Sequence, residues 1–266
     1  LLKAIKEYLP LANDYELTLE GRIHDLIPEN LEVWMNNGVN RMSIGIQSFN
    51  TKVRQMVGRL DTKETVLERL AALKAYGQCS VVIDLIYGLP GQTMEVWEQD
   101  LADLVSSGVD GADLYQLNVF DGSDLNRDIA SGKVPPAATT AMQGDMFEFG
   151  RTYLDARAYR RLSAAHWSAN NRERSLYNIL AKAGVPMFPF GSGAGGNVDG
   201  YGMMLHRALK PYEDMVSRGE KPFMALMKQS DLQPFVNQVV SQLEQGYLNI
   251  NTLVAMDSRL DELNWL

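Results

Sequence analysis

Two hydrophobic periods alternate along the first half of the chain. In RMSIGIQSF (41–49), Met42, Ile44 and Ile46 fall on one side and Ser43, Gly45 and Gln47 on the other, the two-residue period of a strand. TKETVLERLAALKAYG follows, with Val66, Leu67, Leu70 and Leu73 at helical spacing and Gly77 closing it. YELTLEG (15–21) predicts an earlier strand, and PENLEVWMNNG a helix with Pro28 early and Gly38 at its end. A third strand starts at Ser80 in SVVIDLIY, then comes a helix in TMEVWEQDLADLVSSG and a fourth strand in ADLYQLNVF (112–120). Strand starts near 15, 41, 80 and 112 leave room for a crossover helix each time. No hairpin signal separates them, so the pattern predicts a parallel α/β sheet.

The second half breaks the alternation. VPPAATT (134–140) reads as a connector carrying a helix cap, followed by a long helix around Met142–Ala156. FGSGAGGNVDGYG (190–202) reads as a glycine-rich loop. The tail from Lys210 reads as helical, with PFVNQVVSQLEQGYLN as a small accessory helix. Two domains are expected, 1–133 and 134–266.

Composition narrows the class. With 266 residues and 45% of them hydrophobic, the chain can bury a real core. A net charge of −8 leaves no basic face for nucleic acid. No apolar run reaches the ~18 residues of a membrane span. The opening LLKAIKEYLP lacks the basic leader and small-residue cleavage site of a signal peptide. A single cysteine, Cys79, rules out an internal disulfide framework, fits a cytoplasmic location, and is too few thiols for a metal cluster. The chain opens without Met inside an amphipathic helical pattern and stops at ELNWL without an evident cap. We expect a piece of a longer protein.

Ligands of parallel α/β sheets and barrels sit at the carboxyl ends of the strands. That directs attention to Glu20, Gln47, Asp84 with the Gly88-Leu89-Pro90 turn, and Asn118 with Phe120. Asp84 alternates with Val82 and Ile86 on an otherwise apolar strand. Such a carboxylate is either tied to backbone amides or an arginine, or it accepts hydrogen bonds from a ligand, and spacing leaves both open. Gln47 suits a ligand contact or a cap for the next helix. Arg59 can hold a carboxylate or phosphate bidentately, although a lone arginine is usually a surface group. GSGAGG (191–196) is neither a Walker nor a dinucleotide fingerprint and reads as a loop where backbone can approach a flat ligand. His24, His166 and His206 show no i, i+4 pairing for zinc. His166, beside Trp167, is a candidate contact for a tetrapyrrole or its iron, with a half-buried structural histidine as the alternative. No Gly-x-Ser-x-Gly elbow supports hydrolase chemistry.

NRMSIGIQSFNTKVRQMVGR followed by VVIDLIYGLPGQT resembles the central part of the radical SAM enzymes related to oxygen-independent coproporphyrinogen III oxidase. HWSANNRERSLYN and AGVPMFPFGSGAGGN resemble the ChuW/HutW branch, the anaerobic haem-degrading radical SAM methyltransferases. The resemblance covers nearly the whole chain, least clearly after Pro222. It implies the last four strands of a partial TIM-like (β/α)6 barrel plus an accessory α+β or helical region. It also implies a [4Fe–4S] cluster that cleaves S-adenosylmethionine to a 5′-deoxyadenosyl radical, and haem opened to a linear tetrapyrrole with loss of iron. An electron donor such as flavodoxin is implied as partner. Carried over by motif, Glu20, Gln47, Arg59 and Asp84 contact S-adenosylmethionine, and Phe120 and Gly195 match looser positions near the cofactors. The family's Cys-x-x-x-Cys-x-x-Cys is absent and belongs upstream of Leu1, so this chain is expected to be inactive by itself. A haem chaperone and the coproporphyrinogen oxidase itself are the alternatives within the superfamily.

Overall fold

The computed structural model of the protein describes residues 1–256, which divide into a unit of residues 1–174 and a unit beginning at Ser175. In the first unit, helix α1 (Leu2–Tyr8) precedes four parallel strands: β1 (Thr18–Gly21), β2 (Arg41–Gln47), β3 (Ser80–Tyr87) and β4 (Gly111–Gln116). Helix α2 (Pro28–Asn36) links β1 to β2, helices α3 (Thr51–Met56) and α4 (Lys63–Ala75) link β2 to β3, and α5 (Met94–Ser107) links β3 to β4. Side-chain caps start the helices: Asn50 accepts from the Lys52 and Val53 amides, Thr62 from Thr65, and Thr93 from Val96. Gly108 ends α5 in the left-handed region, φ +62°.

Strand alternation sorts the sheet into two chemically different faces. Met42, Ile44, Ile46, Val81, Ile83, Leu85, Ala112 and Leu114 are fully or almost fully buried, in one core with Leu70 and Leu73 of α4 and Trp97, Leu101 and Leu104 of α5. Burying each such large side chain contributes about 1.5–3 kcal/mol. The opposite face carries Arg41, Ser43, Gly45, Asp84 and Asp113. The candidate chemistry lies on this polar face.

The chain then forms α6 (Asp124–Ala130) and α7 (Thr140–Asp155), followed by two very short strands, β5 (Arg160–Arg161) and β6 (His166–Ser168). These continue the sheet in the order β1-β2-β3-β4-β6-β5, with β6 antiparallel to β4. The boundary expected at 133/134 is therefore corrected to 174/175. The Trp97 indole donates to the Met146 carbonyl at 2.7 Å, and Gly150 lets α7 approach Trp97 and Leu114 closely. Asp113 pairs in register with His166. Strands of two and three residues carry too little periodicity to be read from sequence. Thr139 caps α7, as the connector reading expects. At the other flank, no strand among the described residues pairs with the outer edge of β1.

The second unit holds α8 (Leu176–Lys182), then strands β7 (Gly195–Val198) and β8 (Tyr201–Leu205), then α9 (Leu209–Ser217), strand β9 (Phe223–Lys228), α10 (Gln233–Glu244) and α11 (Ile250–Met256). Its sheet is antiparallel in the order β7-β8-β9. The glycine-rich segment is thus partly a hairpin rather than all loop. Asp199 and Gly200 turn it with φ of +49° and +77°, the two-residue turn that Asp-Gly favours. A Cβ on Gly196 would lie 2.4 Å from the Met187 carbonyl, so close backbone pairing explains that glycine. The helical reading of the tail is corrected at β9, where residues of good helix propensity pair with β8 instead. The accessory helix is α10.

Candidate cofactor site

The carboxyl ends of β2 and β3 are held by a buried brace. Asp100 of α5 accepts from Ser48 Oγ at 2.9 Å, the Phe49 amide at 2.7 Å and Gln92 Nε2 at 3.0 Å. Gln92 Oε1 in turn accepts from the Gly88 and Leu89 amides at 2.8 and 3.1 Å. One carboxylate therefore fixes the tip of β2 directly and the Gly-Leu-Pro turn after β3 through one amide. Burial pushes Asp100 up to about 6 against these hydrogen bonds. The buried Arg54 guanidinium completes the brace by donating to the Ile46 and Ser48 carbonyls. Gly88 is required twice: its φ is +88°, and the Gln143 amide sits 2.6 Å from where a Cβ would stand.

Within this frame the polar residues converge on a missing side chain. At Gly45 a Cβ would lie 2.8 Å from Gln47 Nε2 and 3.7 Å from both Arg59 Nη2 and Asp84 Oδ2. Gln47 turns back over the glycine because its own backbone is left-handed, φ +69°, at a register slip between Gly45 and Gln47. Asp84 Oδ1 accepts from Ser43 Oγ at 3.2 Å. Burial first, then the charge of Asp113, push Asp84 up to about 6, with the Ser43 hydrogen bond opposing. Arg59 is half-buried, and burial followed by the neighbouring Arg22 holds its pKa below the ordinary value. Glu20, paired in register with Ser43, is exposed on β1 and close enough for its charge to act on Asp84. A cleft of about 440 Å³ opens beside this group, walled by Gln47, Met56, Arg59, Ile86, Leu89 and Leu117. A second hollow of about 360 Å³ reaches Gly45 and Arg59 from the side of Arg22. Cleft size suits a small organic ligand.

The remaining sequence candidates are placed elsewhere. Phe120 is 71% exposed in the loop beyond β4. Gly195 begins β7 in the second unit. His166 is buried, with Nε2 3.2 Å from Glu173 Oε1 and Nδ1 2.9 Å from Asp113 Oδ2. The Nδ1 contact is an ion pair lying off the hydrogen-bond axis. Burial alone would lower the imidazole pKa, but the two carboxylates outweigh it and raise it to about 9. A charged imidazolium with both nitrogens facing carboxylates has no lone pair for iron. The iron-ligand reading of His166 is corrected accordingly.

Sequence reasoning missed Asp113, Glu173 and Arg41. Asp113 was legible: it repeats on β4 the position of Asp84 on β3, and the two are register partners. Glu173 was not. Its carboxylate accepts from Arg41 Nε at 3.0 Å and Ser80 Oγ at 2.9 Å, residues 132 and 93 positions away. Burial would raise its pKa, yet His166 and Arg41 bring it down to about 2.

A profile of the radical SAM superfamily matches residues 2–104. Anaerobilin synthase of Escherichia coli O157:H7 is 38% identical over 231 residues, 87% of this chain and 52% of that protein. The chain belongs to the radical SAM superfamily. The heme chaperone HemW of Lactococcus lactis is 29% identical over 266 residues, 93% of this chain and 69% of the chaperone. Among solved structures, the radical SAM enzyme coproporphyrinogen III oxidase (HemN) from Escherichia coli superposes with a TM-score of 0.82. It is 18% identical, over 96% of this chain and 61% of the enzyme. That likeness establishes the α/β radical SAM fold. This radical SAM chain thus spans about half the length of the anaerobilin synthase it matches.

Radical SAM proteins use S-adenosylmethionine and a [4Fe–4S] cluster. The hollow around Gly45 fits the first: it joins a cation, an amide and a carboxylate around space that any larger residue would fill. The thiol content does not fit the second. Cys79 is the single cysteine of the chain, and burial pushes its thiol up to about 11, away from the thiolate that binds iron. Among the described residues no three His, Cys, Asp or Glu side chains group to hold a metal ion, and no helix is long and apolar enough to cross a membrane.

Proposed function

We propose that this chain is the cofactor- and substrate-binding portion of a radical SAM C-methyltransferase. The enzyme opens haem anaerobically to a linear tetrapyrrole and frees its iron, with a donor such as flavodoxin supplying electrons. The observation that carries the reading is the convergence of Gln47, Arg59 and Asp84 on Gly45 at the strand tips, in a chain 38% identical to an anaerobilin synthase. Arg59 pairs with the carboxylate of S-adenosylmethionine, and Glu20 with its amino group. Gln47 and Asp84 take hydroxyl and amine donors. When bound, S-adenosylmethionine supplies methyl and radical-generating chemistry. Phe120, in the loop beyond β4, stands as a looser cofactor neighbour.

A second reading, a haem chaperone, is favoured by the similarity to HemW over 93% of the chain. One experiment separates them. The full-length, cluster-loaded protein is incubated without oxygen with haem, S-adenosylmethionine and a reductant. A methylated, ring-opened tetrapyrrole and free iron support the enzyme. Haem that stays bound and intact overturns it in favour of the chaperone. The 266-residue chain alone is expected to give no product.

A further inference from the structure

Gln47 of β2, Asp84 of β3 and the loop residue Arg59 meet around Gly45, which leaves open what β4 contributes. Phe120, the sequence candidate, lies beyond the strand and is largely exposed. Tyr115 lies on β4 itself, two residues past Asp113 on the same polar face, paired in register with Ile86 of the cleft wall. The residue is 44% exposed, although strand neighbours on the apolar face are fully buried. Asp113, two residues back on the same face, and the charges of Asp84 and Glu20 all act on its phenol.

We infer that Tyr115 is the contribution of β4 to this site, offering its ring face to a flat, delocalised ligand. The inference rests on the functional reading above, which supplies two ligands with such a surface: the adenine of the cofactor and the tetrapyrrole. A tyrosine on a paired strand presents a large ring with few side-chain torsions to freeze, so its face is offered at low entropic cost. Asp113 is the positioning residue. Its carboxylate lies 2.9 Å from the buried His166 imidazole on one side, and its charge acts on the phenol on the other. Burial first, then the charges of Asp113 and Asp84, raise the phenol pKa above its usual range.

The test uses the full-length, cluster-loaded protein and titrates haem and S-adenosylmethionine separately. Tyr115→Leu, which removes the ring from a half-exposed position, is expected to weaken one ligand about tenfold and the other less than twofold. The ligand affected identifies the ring system held. Tyr115→Phe, which keeps the ring, is expected to lose less than threefold. Wild-type binding of neither ligand overturns the functional reading and this inference with it. Normal wild-type binding with Tyr115→Leu unchanged for both overturns this inference alone. Asp113→Asn provides a readout that general destabilisation would not give. The phenolate absorbance of Tyr115, taken as the difference from Tyr115→Phe, should move to lower pH. An unmoved titration overturns the positioning role.

Discussion

The two ends of the same polar face are built on opposite terms. At the amino ends of the strands, Arg41, Ser80 and Glu173 are buried, the imidazole of His166 reaches Glu173 from further along the sheet, and every carboxylate oxygen of Glu173 meets a donor. At the carboxyl ends, Arg59 and Asp84 face one another across Gly45 with no ion pair between them among the described residues, and Glu20 stands exposed. The first end closes the sheet by satisfying its charges internally. The second keeps charges available for something that arrives. Ionisable groups that a fold stations near each other without pairing them mark a place for a ligand.

That contrast predicts loss of stability at one end and loss of binding at the other. The largest effect is expected from Glu173→Ala, which strands Arg41 and His166 as buried charges. It should cost about 3–5 kcal/mol in urea unfolding, and an unchanged midpoint would erase the distinction. Next, Gly45→Leu should lower S-adenosylmethionine affinity in the full-length protein more than ~100-fold by filling the hollow, while the far-ultraviolet circular dichroism stays native.

Proton linkage sharpens the comparison. His166 rises from 6.5 to about 9 on folding, so its contribution is fully present below 6.5 and lost as pH climbs from 6.5 through 9. Glu173 falls from 4.5 to about 2, so its contribution is present above 4.5 and lost as pH drops toward 2. The amino end should therefore be firmest between about pH 4.5 and 6.5. Asp84 behaves in reverse: raised from 3.8 to about 6, its charge opposes folding, and that cost appears as pH rises through this window. Asp84→Asn should accordingly stabilise the protein by about 1–2 kcal/mol at pH 8 and weaken S-adenosylmethionine binding roughly tenfold. A variant that is both less stable and fully competent to bind would reverse the assignment. The smallest effect belongs to Phe120→Ala, expected within ±0.5 kcal/mol in unfolding.

Legibility followed the range of the interactions. β2 and β3 start at the predicted residues 41 and 80, because strict alternation is written locally. Gln47 and Asp84 could be nominated for the same reason, since strand ends are visible in a pattern. The closing network could not: Glu173 finds Arg41 and Ser80 only after the whole sheet has assembled. β6 exists because β4 offers it hydrogen bonds, and its three residues hold no period of their own. The Asp199-Gly200 turn was overlooked although it is a strong short-range signal, hidden inside a stretch whose glycines suggested a loop.

Among the described residues the outer edge of β1 has no strand partner, and that gives the chain expressed by itself a hazard. Unsatisfied main-chain amides and carbonyls along an edge are adhesive, and another polypeptide strand can dock there. Expressed alone, this segment should self-associate through that flank as its concentration rises, and a charged or proline substitution at Leu19 should keep it dispersed.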